Sequence, residues 1–115
     1  MTVTIYHNAR CSKSRETLKL IEGRGLKPKV VDYVKTPPSA AELKAILKML
    51  GLRPRELLRK GEPRCVELGL KDRHLDDDAL IALMVANPIL IERPIVVAGG
   101  KAAIGRPPEN VLTIL

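Results

Sequence analysis

The sequence predicts one α/β domain in which a βαβ unit and a ββα unit are separated by a run of helices. Three observations carry this reading. β-rich segments at 2–6 and 29–33 bracket a segment of helical spacing. A Pro-Pro break and two capped helical patterns fill the middle of the chain. Two further β-rich segments, joined by Ala98-Gly99-Gly100, occupy the last third.

Thr2-Val3-Thr4-Ile5-Tyr6 is rich in β-branched residues and reads as a first strand. His7, Asn8, Ala9 and Arg10 make a polar loop. From Ser12 to Glu22, Leu18 and Ile21 fit a helix, with Thr17 and Leu20 beside them. Gly23 and Gly25 end it. Lys29 to Tyr33 forms a second strand centred on Val30 and Val31. A crossover of this kind sets the two strands parallel.

Thr36-Pro37-Pro38 is a rigid break. Ser39 is an N-cap with Glu42 as its capping-box partner. Leu43, Ile46, Leu47 and Leu50 continue the helix until Gly51. A short helix is expected over Pro54 to Arg59. Residues 60–75 have weak periodicity and read mostly as loop with a brief helical turn. Asp76 begins a helix carrying Leu80, Ile81, Leu83 and Met84, which ends by Asn87-Pro88. Pro94 to Val97 and Lys101 to Ile104 are strands of an antiparallel hairpin. Arg106-Pro107-Pro108 opens a closing helix through Val111, Leu112 and Leu115. The order is that of a thioredoxin-like fold with a helical insertion at about 39–87, in a single domain spanning 1–115.

The 115 residues suit one domain, and a 45% apolar content supports a core. That core must be aliphatic, because Phe and Trp are absent and Tyr6 and Tyr33 are the only aromatics. No apolar run reaches the ~18 residues of a membrane span. The first ten residues lack the pattern of a secretory leader, so a cytoplasmic protein is expected. The net charge of +7 favours anionic partners by long-range steering. Solvated helix faces are the plainer explanation. Basic residues are scattered and aromatics scarce, which argues against nucleic-acid binding.

Two cysteines, Cys11 and Cys65, allow at most one internal disulfide, and a cytoplasmic chain keeps both reduced. Cys11 falls where the first strand gives way to the first helix. Unpaired N–H groups and the helix dipole stabilise a thiolate there. Such a setting lowers a thiol pKa from ~8.5 by one or more units. Arg10, Lys13 and Arg15 add positive charge, and Asn8 and the Ser14 hydroxyl can donate to the sulfur. The same N–H array can hold an anion. A buried structural cysteine is the alternative, but a polar, charged loop suits it poorly. Ser14 stands where a Cys-x-x-Cys motif would have its second thiol. An adduct on Cys11 must therefore be resolved by Cys65 or by an external thiol. Cys65 reads as an incidental free thiol in a loop-like stretch.

The chain resembles the ArsC family of arsenate reductases nearly end to end. The pieces are Tyr6-His7-Asn8-x-x-Cys11-x-x-Ser14-Arg15, Tyr33-x-Lys35-Thr36-Pro37-Pro38 and Arg55-Glu56-Leu57-Leu58-Arg59-Lys60. Glu67-Leu68-Gly69-Leu70, the run from Asn87 through Arg93-Pro94 to Val97, and Gly105-Arg106-Pro107 follow. Within the family it is most similar to a short subgroup. The resemblance implies the thioredoxin-like fold, Cys11 as nucleophile, and Arg59, Arg93 and Arg106 as oxyanion-binding residues. His7, Asn8, Ser14, Arg15 and Pro94 are then supporting residues, with Arg93–Pro94 in the cis form.

The implied activity is arsenate reduction. Cys11 attacks arsenate; glutathione, as co-substrate, and a glutaredoxin resolve the adduct and release arsenite. No bound cofactor or metal is implied, and a monomer is expected. His7 reads as a loop-end histidine shaping local hydrogen bonds in preference to a general base, and His74 as non-catalytic. Ala9 departs from the family, which usually has Pro there, and loosens the loop. Two alternatives stay open: a glutathione-linked thiol oxidoreductase with another substrate, and an Spx-like regulator that binds RNA polymerase. Ser14 removes the Cys-x-x-Cys switch typical of the latter.

Overall fold

A computed structural model of the chain describes residues 2–71 and 73–115. Asp72, in the stretch expected as loop, lies outside the described residues, as does Met1. The chain divides into two compact units: residues up to Thr36 together with Arg93–Leu115, and Pro37–Glu92.

The first unit is built on a four-stranded sheet. Strand β1 (Val3–His7) leads into helix α1 (Ser12–Gly23), and strand β2 (Lys29–Asp32) follows. β2 runs parallel to β1, with Ile5 opposite Val30 and His7 opposite Asp32. Strand β3 (Ile95–Ala98) lies antiparallel on the other side of β1, and β4 (Lys101–Ile104) completes the order β2-β1-β3-β4. A βαβ half and a ββ half thus share one sheet, as the thioredoxin-like reading expects. Alternation along β1 buries Val3, Ile5 and His7. Val3, Ile5, Ile21, Val96, Ala98 and Val111 form the core of this unit, with Leu18, Leu26 and Ile114 packed against it.

Several details differ from expectation. The buried stripe of α1 is Ser14, Thr17 and Ile21, while Leu18 and Leu20 are only half-buried. Tyr33 leaves the strand it was expected to end, and it is buried at 1% exposure. Val30, expected at a strand centre, is 49% exposed, because β2 is an edge strand with one uncovered face. β3 begins one residue later than predicted, at Ile95, since Pro94 has no N–H to give a ladder. The hairpin turn is the two residues Gly99-Gly100, with Ala98 paired to Lys101. Their φ values of 56° and 76° are those a tight primed turn demands.

The closing helix is a 3₁₀ helix, Pro108–Ile114, not an α-helix. Residues three apart eclipse in 3₁₀ geometry, which brings Val111 and Ile114 onto one line facing the core. Arg93–Pro94 is cis, as the resemblance implies, and Arg106–Pro107 is cis as well.

The second unit is helical: α2 (Ala40–Leu50), α3 (Pro54–Leu57), α4 (Pro63–Glu67) and α5 (Asp77–Ala86), then a 3₁₀ turn at Pro88–Leu90. Ser39 and Glu42 form the predicted capping box, and Gly51 ends α2 in the left-handed conformation. The Asp76 carboxylate accepts from the Ala79 N–H at 2.7 Å and caps α5. α3 is shorter than expected and stops before Leu58, which leaves helical geometry to pair with Ile91. Leu43, Ile46, Leu47, Leu80, Ile81 and Met84 are buried where α2 packs on α5.

Candidate active site

β1 ends at His7, and the chain turns through 8–11 into α1. Cys11 is the N-cap of that helix, in an extended conformation. The loop is closed by short-range bonds. The Cys11 N–H donates to the Asn8 carbonyl at 2.9 Å, and the Asn8 N–H donates to Ser14 Oγ at 3.3 Å. The Arg10 N–H donates to Asn8 Oδ1 at 3.0 Å, and Arg15 Nη1 to the Ala9 carbonyl at 2.8 Å. Asn8, Ser14 and Arg15 therefore brace the loop. Asn8 and Ser14 were expected to donate to the sulfur; their side-chain oxygens accept from loop amides instead.

The groups that act on the sulfur come from elsewhere. Arg106 Nη2 donates to Cys11 Sγ at 3.3 Å. Arg106 Nε donates to the Arg93 carbonyl at 2.7 Å, which fixes the direction of its fork. Arg93 also donates a side-chain hydrogen bond to Cys11. Burial opposes the Cys11 thiolate. The amide of Ser14, the Arg93 guanidinium, the amide of Lys13 and the charge of Arg106 outweigh it, so the thiol titrates below its ordinary range. Cys11 makes no side-chain capping bond in the usual sense; the amides favour the charge at the helix end. Cys11 is half-buried, so a reagent in solution can reach it.

The local cations expected from sequence play other parts. Arg15 turns to Ala9, and Lys13 pairs with Glu16 at 3.6 Å across a well-exposed surface. Nothing at 8–15 marks Arg93 and Arg106 as the cations on the thiol, apart from the resemblance. Their positions follow from the fold. Arg93 immediately precedes cis-Pro94 and β3, which is paired with β1. Arg106 follows β4 after Gly105, whose N–H donates to the Pro94 carbonyl at 2.9 Å. A Cβ at Gly105 would meet Thr17 Oγ1 and lie 2.8 Å from Pro94 Cγ, so only glycine lets this corner close. Sequence reading placed Thr17 on the first helix and Gly105 in a family motif, and gave neither a part in the site. The signal was present as a glycine directly before a site arginine.

His7 is buried, and its Nδ1 has no partner among the described residues. The expected hydrogen-bond role is not seen at this nitrogen. Burial lowers the His7 pKa, Asp32 across the strand pair opposes that, and Arg15 adds to it. The ring is thus held neutral near pH 7.

Arg59 belongs to the second unit. Its Nη1 donates to Glu92 Oε1 at 2.9 Å, its Nε lies 3.8 Å from Glu62, and its backbone N–H donates to the Leu90 carbonyl at 2.8 Å. Cys65, expected in loop, is in α4 with zero exposure, a core position in that unit. Burial of Cys65 follows from α4 being a real helix, which weak periodicity over five residues could not announce. His74 is exposed.

The ArsC family model matches residues 6–114, which contain every element of this site. This chain belongs to the ArsC family. The ArsC chain is 58% identical to the uncharacterized Escherichia coli protein YfgD over 114 residues, covering 98% of this chain and 96% of that one. It is 49% identical to a Neisseria meningitidis arsenate reductase over 114 residues, covering 98% and 97%. Among solved structures, an arsenate reductase from Vibrio cholerae superposes with a TM-score of 0.96 at 54% identity, covering 100% of this chain and 98% of that one. A likeness of that extent places the ArsC chain in the thioredoxin-like fold. Among the described residues no helix is long and apolar enough to cross a membrane, and no group of three His, Cys, Asp or Glu side chains could hold a metal ion.

Proposed function

We propose that this chain is an arsenate reductase with Cys11 as its nucleophile. The observation that carries the reading is the pairing of Cys11 Sγ with Arg106 Nη2 at 3.3 Å at the start of α1. Arginine stays charged at any relevant pH and presents a planar fork to an oxyanion. The same guanidinium that favours the thiolate is therefore adjacent to any arsenate that docks on it.

In the proposed cycle the thiolate attacks arsenic. A sulfur–arsenic bond forms, an arsenic–oxygen bond breaks, and the oxygen leaves as water after protonation. Arg93 and Arg106 offset the charge of the oxyanion and of the transition state. Glutathione then attacks the arsenic of the arsenylated enzyme, forming a second sulfur–arsenic bond as another oxygen leaves as water. A glutaredoxin thiolate attacks the glutathione sulfur; the mixed disulfide that forms is the oxidised product, its two electrons take arsenic from the +5 to the +3 state, and hydrolysis of the Cys11 sulfur–arsenic bond releases arsenite. Ser14 in place of a second thiol and the full burial of Cys65 support an external thiol as the resolving group. Arg59 enters as a third oxyanion ligand from the family resemblance.

The test is arsenate-dependent NADPH oxidation in a coupled assay with glutathione, glutaredoxin and glutathione reductase. Turnover is expected with the wild type and is abolished by Cys11→Ser, since a hydroxyl is a far weaker nucleophile at neutral pH. A folded, reduced wild type with no activity above background sinks the proposal.

A further inference from the structure

Tyr33 stands one residue beyond β2, and Arg93 stands two residues before β3. These strands flank β1 on opposite sides. Asp32, next to Tyr33, is opposite His7, while Ile95 is opposite Tyr6. Sheet order thus brings Tyr33 and Arg93 to the end of β1 where the Cys11 loop begins. Tyr33 is 1% exposed. A buried phenol keeps a hydrogen-bond partner where it can. Here the Arg93 guanidinium donates to the Tyr33 oxygen and also to Cys11. An arginine side chain carries rotamer entropy, and each hydrogen bond it makes narrows the positions its guanidinium can take. Two acceptors, Tyr33 and Cys11, hold it more narrowly than either alone.

We propose that Tyr33 is a positioning residue for the thiolate: its buried phenol oxygen accepts from Arg93 and aims that guanidinium at Cys11. The inference rests on the reading of Cys11 as nucleophile, and it concerns the thiolate and not the oxyanion. Tyr33 touches neither the sulfur nor a substrate in this role. It acts through Arg93. The backbone carbonyl of Arg93 in turn receives Arg106, so both guanidinium groups on the sulfur depend on one residue being held in place.

The test is the rate of Cys11 alkylation by iodoacetamide as a function of pH, with the modified residue mapped by mass spectrometry. Four proteins are compared: wild type, Tyr33→Phe, Arg93→Ala and the double variant. Tyr33→Phe keeps the ring and removes the oxygen. Alkylation at pH 7 is expected to slow about threefold, with the curve moved to higher pH, because the thiolate is the reacting species. Arg93→Ala is expected to move the curve the same way. Adding Tyr33→Phe to Arg93→Ala should change nothing further, as a double-mutant cycle requires of a residue acting through its neighbour.

A Tyr33→Phe curve superimposed on wild type overturns the proposal. So does a full Tyr33→Phe shift in the Arg93→Ala background. Arg93→Lys gives an independent arm if Tyr33→Phe does not fold. It keeps the charge and loses the fork, and is expected to follow Arg93→Ala; a wild-type curve overturns the proposal. Alkylation involves no arsenate. Failure of the coupled arsenate assay therefore leaves this readout standing, and failure here leaves arsenate reduction untouched.

Discussion

Arg106→Ala removes the donor that lies 3.3 Å from Cys11 Sγ. At that separation a pair of unit charges is worth about 1.3 kcal/mol in a water-like dielectric and about 5 kcal/mol at an effective value near 20. Cys11 and Arg106 are both half-buried, so solvent screening places the effect toward the lower figure. Arg93 and the helix amides remain. The loss is then on the order of 1 kcal/mol. The Cys11 thiol is expected to titrate higher in the variant, and kcat/KM for arsenate should fall roughly 10²-fold, the scale for losing one electrostatic donor. Iodoacetamide alkylation against pH reads the first quantity without substrate; the coupled assay reads the second. A titration curve unchanged from wild type refutes the claim that Arg106 stabilises the thiolate.

Two other outcomes follow from the same geometry. Gly105→Ala places a methyl group against Thr17 Oγ1 and Pro94 Cγ, and Thr17 cannot yield freely because its hydroxyl is bonded to the Lys13 carbonyl at 2.7 Å. Such overpacking costs about 1–3 kcal/mol, readable as a lower urea midpoint, and it displaces the adjacent Arg106 so that thiolate reactivity falls too. Wild-type stability with wild-type alkylation would contradict the close approach. His7 has a folded pKa below its ordinary value of 6.5, because burial disfavours the charged ring. The unfolded chain then binds the proton more readily, so this contribution to stability is present above pH 6.5 and lost as pH falls through the lowered folded value. Urea unfolding of His7→Gln should lose less stability than wild type between neutral and acidic pH; a constant gap between the two would exclude the effect.

The parts of this protein that could be read from sequence are those stabilised by residues close in the chain. The Ser39–Glu42 capping box, the left-handed Gly51, the Asp76 cap and the Gly99-Gly100 turn are each complete within about one helical turn or one hairpin. Cys11 at the junction of the first strand and the first helix belongs with them. The exposure of Val30 was not readable, because it depends on β2 being an edge strand. The burial of Cys65 was not readable either, because a five-residue helix leaves too little pattern. Charge assignment around the sulfur failed for a related reason. Lys13 and Arg15 are near Cys11 in the chain, but Glu16 and the Ala9 carbonyl take them.

By itself the sequence determined the element order, the helix-terminal cysteine without a neighbouring resolving thiol, and a resemblance that names three arginines. Tertiary structure alone decided which groups reach the sulfur. Arg106 lies 95 residues from Cys11 in the chain and 3.3 Å from it in space. Only the placing of β3 beside β1 and of β4 beside β3 brings it there, and no local preference encodes a separation of that length. Arg59 marks the same divide. The resemblance offers it as an oxyanion ligand, and the fold supplies Glu92 and Glu62 as its partners in the second unit. A charged side chain follows the nearest complementary charge in space, and the chain's tertiary path chooses that neighbour.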